Sequence, residues 1–276
     1  LDTDGELFCN QRYGDWPIAV SGEAQDPWEN PRWYLLSYGK KVSASSFEEG
    51  KAPDLIANED CRDWWRAAGN KPGEWVQMDL GSTMDVRAIQ INFADDKIEI
   101  PCPGEIVGTT QARYIDGTDH LTRYILEGSV DGENYFVIED KSEANTDLTH
   151  DFLVREDGFS VRYLKLTVLA TAYDQPACIS GMRVFGIGGG QAPEMPEFTA
   201  VRTEEREMQV EIKGENAVGY NILWGSSPEK LYHSWMTFGN SQKIPALVTG
   251  REYYVRVDAF NENGITEGKI VKISSH

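Results

Sequence analysis

Short runs in which apolar and polar residues alternate recur along this chain, and a period of two commits a segment to a half-buried β-strand. The runs are Trp75-Val-Gln-Met-Asp-Leu80, Val86-Arg-Ala-Ile-Gln-Ile-Asn-Phe93, Tyr124-Ile-Leu-Glu-Gly-Ser129, Tyr135-Phe-Val-Ile138, Arg162-Tyr-Leu-Lys-Leu-Thr-Val168 and Met182-Arg-Val-Phe185. Helical periodicity is almost absent. Turn chemistry separates the runs, notably Leu80-Gly81-Ser82 and Val130-Asp131-Gly132-Glu133, the second a hairpin signal. The predicted architecture is an all-β, antiparallel sandwich.

With 276 residues the chain is long enough for two cores. The segment Gly188-Gly-Gly-Gln-Ala-Pro-Glu-Met-Pro196 combines three glycines with two prolines and no apolar alternation, the composition of a linker. Beyond it, strands are predicted at residues 198–201, 208–212, 219–224, 230–235, 242–246, 253–260 and 265–273, the spacing of a seven-stranded sandwich. Between Asp95 and Thr122 lies a stretch without strand period, and loops of this length either shape a ligand cleft or cover a sheet.

Charge excludes some partners. Against 26 Lys and Arg stand 45 Asp and Glu, a formal net charge of -19, which repels nucleic-acid phosphates and anionic lipid surfaces. No apolar stretch is long enough to span a bilayer, so no membrane insertion is expected. Cys9, Cys61, Cys102 and Cys178 show no zinc-ligand spacing; an even count permits disulfides and leaves their pairing open. The chain begins at Leu1 without a signal peptide, as a processed form or an excised piece would. No nucleophile–base pair or matched glycosidase carboxylates assemble, and His120, His150, His233 and His276 are scattered, so no enzyme activity is expected.

Several motifs carry a family resemblance in order. They are Asn58-Glu-Asp-Cys-Arg-Asp-Trp-Trp-Arg-Ala67, Gly73-Glu-Trp-Val-Gln-Met-Asp-Leu-Gly81, Glu127-Gly-Ser-Val-Asp-Gly-Glu-Asn-Tyr135, Val161-Arg-Tyr-Leu-Lys-Leu166 and Met182-Arg-Val-Phe-Gly186. Together they resemble the discoidin, or coagulation factor V/VIII type C, family and within it the family 32 carbohydrate-binding modules. The resemblance implies a galactose-binding-like jelly roll over residues 35–187, with 188–196 as linker. Residues 197–276 are similar to a fibronectin type III (immunoglobulin-like) sandwich through Leu247-x-x-Gly250-x-x-Tyr253-x-Val255-x-Val257-x-Ala259-x-Asn261, with Tyr253 as its corner tyrosine. Residues 1–34 form an extension in which Asp4 to Pro17 looks like the tail of a family 43 glycoside hydrolase propeller. These likenesses imply an extracytoplasmic, bacterial, non-catalytic accessory module of a polysaccharide-degrading enzyme, binding a plant or host glycan beside a catalytic domain. The alternative is a structural spacer or protein-interaction module that binds no glycan.

Sugars are held by aromatic faces and forked polar side chains, so a loop aromatic beside Arg, Asp or Asn marks a candidate site. Arg62, Asp63 and Trp64 form one such group. Trp65 falls where the family has its core tryptophan, which turns Trp64 toward the loop surface; the other reading packs both indoles under the loops. Tyr173 with Asp174, in the turn Thr171 to Ala177, is the second group, with a Pro-closed turn and a surface tyrosine as the plainer reading. The pair Asp95 and Asp96 reads as solvated. The resemblance also implies a structural Ca2+ at the first loop, with Asp54, Asn58 and Asp60 as oxygen donors, although Gly181 stands where the family has a ligating Glu.

Overall fold

The computed structural model describes residues 33–98, 120–145 and 147–275, with the backbone alone for Asp174 and for residues 6–8, 17–19, 100–101 and 109–110. Among the described residues the chain is all β apart from two 3-10 turns, Pro53–Ala57 and Ala172–Asp174. The described residues divide into two compact units, one of Leu35–Gly186 and one of Ile187 onward together with residues 6–8, 17–19 and 33–34. Glu6–Phe8 (β1) and Pro17–Ala19 (β2) pair antiparallel. Cys9, Cys102 and most of the expected N-terminal extension lie outside the described residues.

Strands Tyr34–Leu35 (β3), Lys41–Ala44 (β4), Trp65–Arg66 (β5) and Glu74–Phe93 (β6) open the first unit; a short pair, Ile100–Pro101 (β7) and Thr109–Thr110 (β8), follows. Arg123–Ser129 (β9), Phe136–Asp140 (β10), His150–Ala170 (β11) and Cys178–Ile187 (β12) complete it. Their order is β10-β9-β11-β6-β12-β3, with β4 on β6 and β5 on β12. The two runs expected as separate strands around Gly81 are one strand, because β11 pairs with β6 from Val168↔Glu74 to His150↔Asn92 and carries the ladder past the turn. Register shifts in β11 between Val154 and Phe159 and between Val161 and Tyr163 bend the sheet. It folds over itself, so that Val76, Met78 and Leu80 share one core with Val86, Ile89 and Ile91. Alternation sends Trp75, Gln77 and Asp79 outward from the same strand.

The second unit contains Glu197–Glu204 (β13), Glu207–Lys213 (β14), Gly219–Gly225 (β15), His233–Thr237 (β16), Ser241–Ile244 (β17), Tyr253–Asn261 (β18), Gly264–Thr266 (β19) and Val271–Ile273 (β20). They form a three-stranded sheet, β13-β14-β17, and a sheet ordered β16-β15-β18-β19 with β20 on β18. The expected last strand is split, with residues 267–270 unpaired between β19 and β20. Met208, Val210, Ile222, Trp224, Val255 and Val257 fill the core. The glycine- and proline-rich segment is bound to this unit along its length. Gly188 N–H donates to Glu262 O at 2.7 Å and Gly190 N–H to Asn263 Oδ1 at 2.7 Å. Gln191 O accepts from the amides of Asn216, Asn261 and Asn263, and Pro193 O accepts from Thr266 Oγ1 at 2.6 Å.

Candidate functional site

The loop after β4 is stitched to β5. Trp65 Nε1–H donates to Ser46 O at 2.9 Å, Glu48 N–H to Arg66 O at 3.0 Å and Arg66 N–H to Lys51 O at 3.3 Å. Trp65 is wholly buried in the core, and this fixes its neighbour. Trp64 is half-buried, donates Nε1–H to Asp96 Oδ2 at 3.1 Å, and carries the Lys51 ammonium 3.2 Å from its ring centroid. Phe47, 52% exposed, stands on the same loop.

Asp96 is the hub of this end. Besides Trp64 it faces Arg66 Nε at 3.6 Å, and Arg66 also pairs with Glu48, which pairs in turn with Lys97. The hydrogen bonds from Lys97 and Arg66 hold the Glu48 carboxyl below the usual carboxylate range. Gln175 ties in the late turn, accepting Asp96 N–H at 3.2 Å on Oε1 and donating Nε2–H to Asp95 Oδ1 at 2.7 Å. In that turn Tyr173 adopts a left-handed backbone, φ 60 and ψ 22, and its ring centroid lies 3.9 Å from that of His120. Burial and hydrogen bonding of Asp96 and Asp95 correct the solvated reading of this pair.

The residues singled out in the sequence separate into two groups. Trp64 and the turn bearing Tyr173 meet on the Asp95–Lys97 segment; the Asp174 side chain lies outside the described residues. Arg62, with its side chain 86% exposed, forks onto Asp60, and Asp63 accepts from Asn58 Nδ2 at 3.1 Å, so both are held within the first loop's own turn. Asn58 Oδ1 accepts Asp60 N–H at 2.8 Å, and Arg62 keeps the Asp60 carboxyl low. Glu59 faces Arg183 at 2.9 Å. Asp60 is turned onto Arg62 and Glu59 onto Arg183, and no set of three or more His, Cys, Asp or Glu is arranged for a metal among the described residues.

Sequence reasoning missed Lys51, Glu48, Arg66 and Gln175. They come from three separate segments, the loop after β4, β5 and the turn before β12, and spacing carries no signal for such a meeting. Among the histidines, His120 lies tilted against Tyr173, His150 Nδ1 lies 3.2 Å from Thr149 Oγ1 and His233 stacks on Trp224, while His276 lies outside the described residues. Burial pushes the Cys178 thiol up to about 12.

No protein-family model matches the chain, and no curated protein matches it. Solved structures do. The module CpGH89CBM32-6 produced by Clostridium perfringens is 16% identical with a TM-score of 0.41, over 54% of this chain and 97% of its own. Chitosan-binding module 1 of a chitosanase/glucanase from Paenibacillus sp. IK-5 is 14% identical with a TM-score of 0.43, over 55% and 99%. The family 32 module of C. perfringens NanJ, solved with galactose, is 12% identical with a TM-score of 0.42, over 55% and 98%.

Proposed function

We propose that the first unit binds a glycan through its loop end, as a non-catalytic accessory part of a polysaccharide-degrading glycoside hydrolase acting outside the cytoplasm. The observation that carries this reading is Trp64. An indole left half-exposed, with its N–H spent on a nearly buried carboxylate, is a fixed ring whose open side meets the C–H face of a sugar without further ordering cost. Lys51 and the Asp96 network beside it offer partners for sugar hydroxyls, and Phe47 on the same loop and Tyr173 on the turn tied to Asp96 offer further ring surface at this end. Proximity to a catalytic domain raises effective substrate concentration even for weak binding. The strand order of the second unit and the hydrogen bond from Val248 N–H to Tyr253 Oη support a fibronectin type III type of sandwich that serves as a spacer.

A second reading, a structural or protein-docking role for both units, is favoured by one feature: the Lys51 ammonium already covers one face of Trp64. Calorimetric titration against plant and animal glycans distinguishes them. The glycan reading expects dissociation constants on the order of 0.1–1 mM, weakened at least about tenfold in Trp64→Ala and in Tyr173→Ala. Absence of binding to every glycan, or variants that bind like the wild type, sinks it.

A further inference from the structure

A cavity of about 250 Å³ opens between the end of β6, the start of β12 and the first loop, lined by Ile56, Glu59, Cys61, Gln90, Asn92, Ser180, Gly181 and Arg183. None of Lys51, Trp64, Asp96 or Tyr173 lines it. Its wall is a fixed polar relay. Glu59 holds a left-handed backbone, φ 62, and receives Arg183 Nε–H at 3.0 and 3.1 Å. Arg183 Nη1–H donates to Gln90 Oε1 at 3.3 Å, and Gln90 Nε2–H donates to Asn92 Oδ1 at 3.1 Å. This direction gives each amide oxygen one donor and leaves Asn92 Nδ2–H without a described partner. Ser180 Oγ–H donates to Asn92 O at 3.4 Å, which leaves its lone pairs open. A Cβ on residue 181 would stand 3.1 Å from Asn92 Nδ2, so the glycine keeps that donor reachable.

We propose that this cavity is a second ligand site, taking one neutral pyranose residue. Its volume of about 250 Å³ leaves room for a single sugar ring. Each sugar hydroxyl both donates and accepts, matching an amide donor next to a hydroxyl acceptor. The Glu59–Arg183 pair is already neutralised, so a charged ligand finds no uncompensated partner. This assignment does not rest on the loop-end reading.

Cys61, exposed at the cavity, is a built-in reporter. The experiment measures its alkylation by peptide mass spectrometry, and the side-chain amide resonances of Gln90 and Asn92 by NMR, against a panel of neutral monosaccharides. A neutral sugar is expected to slow Cys61 alkylation several-fold and to shift both amides in the wild type and in Trp64→Ala alike. Asn92→Ala, and Gly181→Val where it folds, are expected to lose the protection. The site is overturned if no sugar does this, if a charged amino acid does it equally well, or if Trp64→Ala abolishes it. Failure of the loop-end reading leaves Trp64→Ala without effect on polysaccharide binding and the Cys61 protection intact, so the two failures are distinguishable.

Discussion

Trp64 and Trp65 are consecutive and have opposite surroundings, because successive side chains on an extended backbone point to opposite sides. The same contrast separates two cysteines. Cys61 is exposed, whereas burial holds the Cys178 thiol near 12, so its thiolate is scarce at neutral pH. Alkylation followed by peptide mapping is therefore expected to modify Cys61 in the native protein and Cys178 only after denaturation; native labelling of Cys178 would contradict this burial. In the second unit, Tyr253 Oη accepts Val248 N–H at 3.1 Å. Tyr253→Phe removes the acceptor without changing the ring, and urea denaturation is expected to show a loss of about 1 kcal/mol.

Strands in this protein are set by where backbones must come close as much as by alternation. Gly186 on β12 passes the backbone of β6, and a Cβ there would lie 2.0 Å from Asp85 O and 2.9 Å from Val86 Cα. Gly186→Ala is expected to destabilise the first unit by about 3 kcal/mol in chemical denaturation. Gly69→Ala, where a Cβ would meet nothing within 4 Å, is expected to change stability by less than about 0.5 kcal/mol. The hairpin signal at Val130-Asp131-Gly132-Glu133 was legible because its cause is local: Asp131 accepts the N–H groups of Glu133 and Asn134 and the hydroxyl of Ser129, which holds its carboxyl far below the usual range. The continuity of β6 was not legible, since the ladder that carries it past Gly81 belongs to β11, some seventy to eighty residues on. For the same reason the segment read as a linker is a bound strap, held by asparagines 216, 261 and 263.

At the scale of the molecule, the two units are expected to respond to pH in opposite directions. In the second unit, burial raises the Asp258 carboxyl to about 6 despite Arg256 at 2.9 Å. A raised folded value contributes stability that is present below the ordinary 3.8 and lost as pH climbs through about 6. In the first unit, Glu48, Asp60, Asp79 and Asp131 are lowered by their hydrogen-bond partners, so their contribution is present above the ordinary carboxylate range and lost as pH falls through the lowered values. Hydrogen exchange resolved by unit is expected to show protection of the second unit rising from pH 7 to 5, and that of the first falling below about pH 4. Protection of the second unit that is unchanged across this range would show Asp258 to be ionised throughout.

Sequence alone determined the all-β class and the local turns, because alternation and turn residues act over a few neighbouring residues. Tertiary structure alone decided which charged groups meet Trp64. Asp96, Arg66, Glu48, Lys97 and Gln175 come from four loops and strands. Asp60 finds Arg62 two residues on, within one turn, whereas the partner of Glu59 was decided by the fold, Arg183 lying 124 residues away. A carboxylate's role depends on which cation lies within reach, and for residues far apart in sequence that distance exists only once the sheet has folded over.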